Sequence, residues 1–321
     1  MAGMNGLRRN IVLGTGLLVG LVFLGIVAGC DEDLDGAAAD QPDLIWSQHG
    51  LLNGQLQKPR AMAISADDEI YIVDYTARIQ VFTPDGKFLR GWTTPDSQFG
   101  RPTGLSFDRE GRLLVANTHY YQVLIYSPEG ELVDTIGGLE GTPGHGPGEF
   151  GLVTDAVQDS QGNYYVAEYG EYDRIQKFNR EGEFLTQWGS QGFEPGQFRR
   201  PQNLAVDSDD NVWVVDACNH RVQQFDAEGK LLRIWGEKGD APGQLYYPYD
   251  LLFDDAGNLY ISEFGNCRVQ KFTPDGQSLG LWGHEGRRPG ELSQPWALVM
   301  DSQGRIHVLD TQNHRVQRIV M

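Results

Sequence analysis

The sequence predicts an all-β fold: a six-bladed β-propeller of four-stranded antiparallel blades, with the N-terminal strand completing the last blade. Three observations predict it. A unit recurs six times between residues 42 and 321, opening at Pro59, Pro102, Val153 in place of proline, Pro201, Pro248 and Pro295. Spacings of 43 to 51 residues between those openings belong to propellers or solenoids. Within each unit, short runs rich in Val, Ile, Tyr and Phe are broken by turns such as Asp-Gly and Glu-Gly, a pattern of strands that leaves no room for helices at three- and four-residue spacing. The sixth unit reaches Met321 one strand short, while a spare strand precedes the first.

In chain order, Arg8 and Arg9 precede an apolar run from Ile11 to Ala28. A charged segment followed by an apolar one is the layout of an export signal, with a short membrane-spanning helix as the alternative. The acidic, aperiodic stretch after Cys30 reads as a solvated tether. This divides the chain into a signal peptide (1–29), a tether (30–41) and a propeller (42–321). Unit four shows the blade most clearly. Strands are expected at 204–206, 212–215, 222–225 and 231–236, separated by the turns Asp207–Asn211 and Asp226–Gly229 and by the segment Asp216–Arg221. Four short strands with turn residues between them make one antiparallel blade. The segment Leu44–Gly50 resembles the fourth strand Phe184–Gly189, so it is expected to pair with the last blade and remove an open edge.

Composition restricts the partners. The chain has 26 Lys and Arg against 44 Asp and Glu, a net charge of −18, with 41 Gly and 15 Pro. The two arginines before residue 30 face no acid there, so the remainder is more acidic still. Such a surface repels phosphate backbones, and nucleic acid is excluded as a partner.

Two resemblances add to this reading. Val27-Ala28-Gly29-Cys30 resembles the lipobox of bacterial lipoproteins, which implies lipidation of Cys30, an anchor in the membrane and a place in the cell envelope facing the periplasm or the exterior. Asn219-His220-Arg221-Val222-Gln223 and Asn313-His314-Arg315-Val316-Gln317 resemble the NHL-repeat signature, with Asn266-Cys267-Arg268-Val269-Gln270 a near match. That resemblance covers residues 42 to 321, although units one to three depart from the signature. It implies a six-bladed, monomeric propeller.

Polar residues recur at two places. Asp74, Asn117, Glu168, Asp216, Glu263 and Asp310 end the second strands. Asp216, Glu263 and Asp310 are followed five residues later by Arg221, Arg268 and Arg315, and neutral Asn117 has Gln122 at the Arg position. Matching charge with charge and amide with amide predicts a structural clasp in each blade, because a buried unpaired charge is costly. Phe99, Phe150, Phe198, Leu245 and Leu292, just before their blades, are expected to pack inside.

The second set is lopsided. Two residues past the openings stand Ala61, Gly104, Asp155, Asn203, Asp250 and Ala297. Asp155, Asn203 and Asp250 are therefore candidate ligand contacts at the channel mouth. Two carboxylates and an amide oxygen suit Ca²⁺, and the arrangement is similar to that of six-bladed lactonases and phosphotriesterases that hold calcium in the channel. Capping of nearby N–H groups is the structural alternative. Arg60, Tyr249 and Trp296, beside the opening positions, are candidate rim residues for a peptide, protein or carbohydrate ligand, with Arg199, Arg200, Tyr246 and Tyr247 close in sequence. The peptidyl-hydroxyglycine amidating lyase is a similar propeller with His after several opening prolines. Here Arg60, Thr103, Thr154, Gln202, Tyr249 and Trp296 fill those places, which argues against a zinc lyase. Two functions stay open: a membrane-tethered binding scaffold, and a calcium-dependent hydrolase with its site at the mouth. Cys218 and Cys267 lie in equivalent hairpins of adjacent blades, and their pairing is undecided.

Overall fold

The computed structural model describes residues 41–95, 97–138 and 142–321; Cys30 and the proposed signal and tether, apart from Gln41, lie outside them. Six four-stranded antiparallel sheets form the blades, each running in chain order from the channel outwards in blades 1 to 5. The sixth is composite. Pro295–Met300, Ile306–Asp310 and Arg315–Ile319 are its three inner strands, and Leu44–Trp46 is the fourth. The closing register pairs Leu44 with Arg318 and Trp46 with Val316. Arg318 secures the seam by pairing with Asp43 at 2.9 Å and with Asp85 of blade 1 at 2.8 Å.

Burial follows strand order. The second strands Ile70–Val73, Val212–Asp216 and Leu259–Glu263 are buried at every position, whereas the outer strands Phe184–Trp188 and Leu231–Trp235 alternate between half-buried and exposed residues. The cores lie between blades: one cluster joins Tyr71 and Val81 to Leu113 and Tyr126, the next joins Leu114 and Val123 to Val166 and Phe178, and so on round the ring. No blade can bury its faces alone, so closure and stability are coupled.

An aromatic device repeats at the periphery. Trp46 of the closing strand lies over the hairpin of blade 1, where a Cβ on Gly86 would fall 2.4 Å from the Trp46 ring. Gly86 has φ +79°, so the position requires glycine for both backbone and space. Gly182 occupies the same place in blade 3 with no atom within 4 Å, because blade 2 offers Ile136 where other blades offer Trp.

The clasp carboxylates sit against their arginines: Asp216–Arg221 at 2.8 Å, Glu263–Arg268 at 2.6 Å, Asp310–Arg315 at 2.7 Å, and likewise Asp74–Arg78 and Glu168–Arg174 at 2.8 and 2.6 Å. Each pair also organises the loop that enters its own blade. Arg221 donates to the carbonyls of Phe193, Glu194 and Gln197, while Asp216 accepts from the Arg199 N–H. Those bonds satisfy loop backbone that burial would otherwise strand. Burial raises the Asp216 and Asp310 carboxyls, against the lowering effect of these partners.

Two expectations fail in blade 2. Asn117 is buried, and among the described residues neither of its side-chain polar atoms is bonded to Gln122 or to any other group, since an uncharged amide lacks the reach and directionality of the guanidinium fork. Phe99 is 73% exposed, unlike Phe150, Phe198, Leu245 and Leu292, which are buried. Without an arginine to gather the entering loop, the phenylalanine is not drawn beneath it. Leu56, buried at 0% exposure before blade 1, is the packing residue that the pattern missed.

The signature histidines tie neighbouring blades. His220 Nδ1 accepts from the Tyr247 N–H of the loop entering blade 5 at 3.1 Å, and His314 Nδ1 accepts from Lys58 N–H at 2.9 Å. Burial lowers both histidine pKa values, which favours the neutral acceptor form. Cys267 and Asp173 do the same work in blades 5 and 3, accepting from Gln294 and Arg200 N–H. Cys218 and Cys267 are both free thiols.

Candidate functional site

The channel mouth is shaped by a repeated irregularity. In blades 3, 4 and 5 the inner strand slips register immediately after its opening residue, between Val153 and Asp155, Pro201 and Asn203, and Pro248 and Asp250. The extra residue in each bulge is Thr154, Gln202 or Tyr249, and blade 6 slips between Pro295 and Leu298. A bulge breaks the two-residue alternation and re-aims a side chain. Consecutive residues can therefore line the same space, as Gln202 with Asn203 and Tyr249 with Asp250 do.

All six candidate residues, Arg60, Asp155, Asn203, Tyr249, Asp250 and Trp296, line one narrow pocket at the mouth. Asp155, Asn203 and Asp250 also line a second pocket with Ile64, Phe107 and Val299. They thus stand at the boundary between the mouth and the lower channel.

Their hydrogen bonds run between blades. Asp155 Oδ2 accepts from Leu204 N–H and from Asn203 Nδ2, both at 3.0 Å. Asn203 Oδ1 accepts from Leu251 N–H at 3.2 Å, and Asp250 Oδ2 accepts from Leu298 N–H at 2.7 Å. Each side chain therefore fixes the inner strand of the next blade, the same step repeated across three interfaces. The small residue in blade 2 follows from this arrangement, because a Cβ on Gly104 would lie 2.7 Å from Asp155 Oδ1 and 2.4 Å from the Thr154 carbonyl. Burial pushes the Asp155 carboxyl well above its ordinary value, with Asp250 adding repulsion, and pushes Asp250 to about 7. Among the described residues, no group of three or more His, Cys, Asp or Glu is placed to hold a metal ion.

Above this floor the walls are aromatic and cationic. Tyr249 stacks on Phe264 at 4.5 Å and meets Trp296 edge-on at 4.9 Å. Arg60 lies 5.7 Å from the Trp296 ring and 5.0 Å from Tyr75. Tyr75, Tyr169 and Phe264, each directly after its second-strand carboxylate, and Arg101, directly before Pro102, are wall residues that the sequence pattern held at regular offsets but did not single out. Of the neighbours expected near the rim, Arg200 joins it over Tyr249 at 5.4 Å. Arg199 instead covers Phe193, and Tyr246 and Tyr247 pack on His220.

Six four-stranded blades, a closing N-terminal strand and the recurring Asn-His-Arg-Val-Gln ties define a six-bladed β-propeller built on NHL repeats. The family model described as "NHL repeat" matches residues 198–225 and 292–319, the end of one entering loop and first three strands of blade 4 and their equivalents in blade 6. Among curated proteins, the chain is 30% identical over 185 residues to peptidyl-glycine alpha-amidating monooxygenase B of Xenopus laevis, covering 56% of this chain and 20% of that protein. It is 29% identical over 158 residues to NHL repeat-containing protein 3 of Mus musculus, covering 46% and 45%. The chain thus spans about a fifth of the amidating monooxygenase and under half of the repeat protein. Among solved structures, virginiamycin B lyase from Staphylococcus aureus aligns with a TM-score of 0.56 at 13% identity, over 82% of this chain and 80% of that one. A protein of unknown function from Bacteroides thetaiotaomicron aligns with a TM-score of 0.65 at 14% identity, over 87% and 75%. At such identities the structural likeness is one of fold.

Proposed function

We propose that this protein is a lipid-anchored propeller of the cell envelope that binds a peptide, protein or carbohydrate ligand at its channel mouth. The observation that carries the reading is the wall of the mouth, where the Tyr249, Phe264 and Trp296 rings meet Arg60 beside a preformed pocket. Rigid rings give contact area at low entropic cost, and a few polar groups orient what they hold. The tether supports the same reading. The closing strand runs from Leu44 towards the loop that opens blade 1, so Asp43 lies at the opposite face, paired through Arg318 with the Asp85 hairpin. A lipid on Cys30 would join the propeller to the membrane through the chain that leads to Asp43. Mass spectrometry of membrane-extracted protein is expected to find a diacylglyceryl mass on Cys30 and no peptide from residues 1–29; an intact N-terminus refutes the anchor.

A hydrolytic reading draws on one observation, the Asp250 carboxyl at about 7, since a carboxyl poised there suits proton transfer. The interblade bonds of Asp155 and Asp250 favour a structural role, and the arginines above them oppose a bound cation. Peptide and glycan arrays probed with the wild type and with Trp296→Ala test the binding reading. Ligands lost with Trp296→Ala support it. Ligands retained by the variant place binding elsewhere, and turnover of lactones or phosphotriesters that requires Ca²⁺ and Asp250 replaces it with the hydrolase.

A further inference from the structure

We propose that the mouth recognises its ligand through an oxyanion, a carboxylate or a phosphate, seated among Arg60, Arg101 and Arg200. This rests on the binding reading above and names the ligand class. The three guanidinium groups come from blade 1, the loop entering blade 2 and the loop entering blade 4, and a chain of rings links them. Arg60 and Arg101 lie 5.0 and 5.1 Å from the same Tyr75 ring. Arg60 continues to Trp296 at 5.7 Å, Trp296 to Tyr249 at 4.9 Å, and Tyr249 to Arg200 at 5.4 Å.

Their lack of counter-charge sets them apart. Among the described residues no carboxylate lies within ion-pair distance of any of the three, although the chain carries 44 acids and its clasp arginines are all paired. The half-buried Arg60 side chain makes no hydrogen bond to any described residue. Arg101 spends its bonds on the carbonyls of Tyr75, Ser97 and Gly100, which hold the group without neutralising it. Arg200 commits Nε to Gln202 Oε1 at 2.8 Å, and among the described residues neither terminal nitrogen has a hydrogen-bond partner.

The charges act on one another. Burial lowers the Arg60 pKa, and repulsion from Arg101 and Arg200 lowers it further. His119 is likewise lowered, by burial first and then by Arg60 and Arg101. Like charges gathered with no carboxylate among the described residues to pair them repel one another, and an oxyanion accepting their unused N–H groups would relieve that repulsion. The carboxyls beneath do not fill the role, because Asp155 and Asp250 already bond Leu204 and Leu298 N–H and burial favours their protonated forms. Tyr249 and Trp296 beside the cluster suit a flat apolar body next to the anionic group.

The test is ligand-observed NMR on the full chain in a non-ionic detergent, using benzoate, phenyl phosphate, benzyl alcohol and benzylamine as probes. Benzoate or phenyl phosphate is expected to bind the wild type more tightly than the neutral and cationic probes. Arg60→Gln is expected to weaken that binding by about tenfold or more, and the exposed Arg287→Gln to leave it unchanged. The stronger of the two anions identifies carboxylate or phosphate as the group recognised. Equal binding of all four probes, lost with Trp296→Ala, overturns the oxyanion inference and leaves the binding mouth standing. Anion binding indifferent to Arg60→Gln overturns it as well. If no probe binds, or none is lost with Trp296→Ala, both the inference and the binding reading fall.

Discussion

Replacing Asp250 with Asn is predicted to stabilise the protein at high pH and to change little at low pH. Asp250 Oδ2 accepts the Leu298 N–H at 2.7 Å, and Asn203 shows in the adjoining blade that an amide oxygen can accept the equivalent bond. The substitution therefore keeps the interblade tie while removing an ionisable group. The Asp250 carboxyl is raised from 3.8 to about 7, chiefly by burial. The fold thus holds this proton more tightly than the unfolded chain does, so the contribution is fully present below 3.8, falls as pH rises towards 7, and is lost above it. A shift of that size at about 1.4 kcal/mol per unit corresponds to about 4 kcal/mol at pH 8. At about 2–4 °C per kcal/mol, the variant should melt on the order of 10 °C higher there and near the wild type at pH 4. Removing the Asp250 charge also relieves Asp155, which it repels. Thermal unfolding of both proteins from pH 4 to pH 8 reads the difference and cancels slopes from other groups. An Asp250→Asn variant less stable than wild type at pH 8, or a difference independent of pH, refutes the reasoning.

Further outcomes follow from the same geometry. Millimolar Ca²⁺ is expected to leave the melting temperature unchanged at pH 8, and a stabilisation abolished by Asp155→Asn with Asp250→Asn would instead establish a cation site. Arg221→Ala leaves Asp216 buried without its guanidinium and should cost about 3–5 kcal/mol by chemical denaturation, whereas a loss under 1 kcal/mol contradicts the clasp. Gly86→Ala, at φ +79° and against Trp46, should cost about 2–4 kcal/mol. Gly182→Ala, with open space around it, should cost about 1–2 kcal/mol, so equal losses would rule out the packing argument.

The architecture was legible because a propeller writes itself six times. Opening residues, turn pairs and clasp carboxylates repeat at fixed offsets, and the strand missing after Ile319 has its match in Leu44–Trp46. The six mouth residues were legible for the same reason, since offset from the opening fixes their height along the channel. Interblade roles were not. The lopsided set Asp155, Asn203, Asp250 has a mechanical component that only geometry displays, with each side chain reaching an N–H nearly 50 residues away. Nor does a one-residue bulge leave a mark in apolar periodicity, although it lets Tyr249 and Asp250 share a pocket. Cys267 and Asp173 replace a signature histidine by function and not by resemblance, because any acceptor of suitable reach can take the loop N–H. Arg101 and Arg200 each stand directly before an opening proline and Arg60 directly after one, so the offsets place all three at the mouth, whereas the rings that link them are visible only in the structure.

The most direct test of the account is a crystal structure of the protein with a ligand drawn from the peptide or glycan arrays. The account predicts ligand density over the Tyr249 and Trp296 rings, with an Arg60 nitrogen within hydrogen-bond distance of it and the Asp250 bond to Leu298 N–H intact. Density confined to the outer strands, or a ligand that displaces Asp155 and Asp250 from the neighbouring blades, would contradict it.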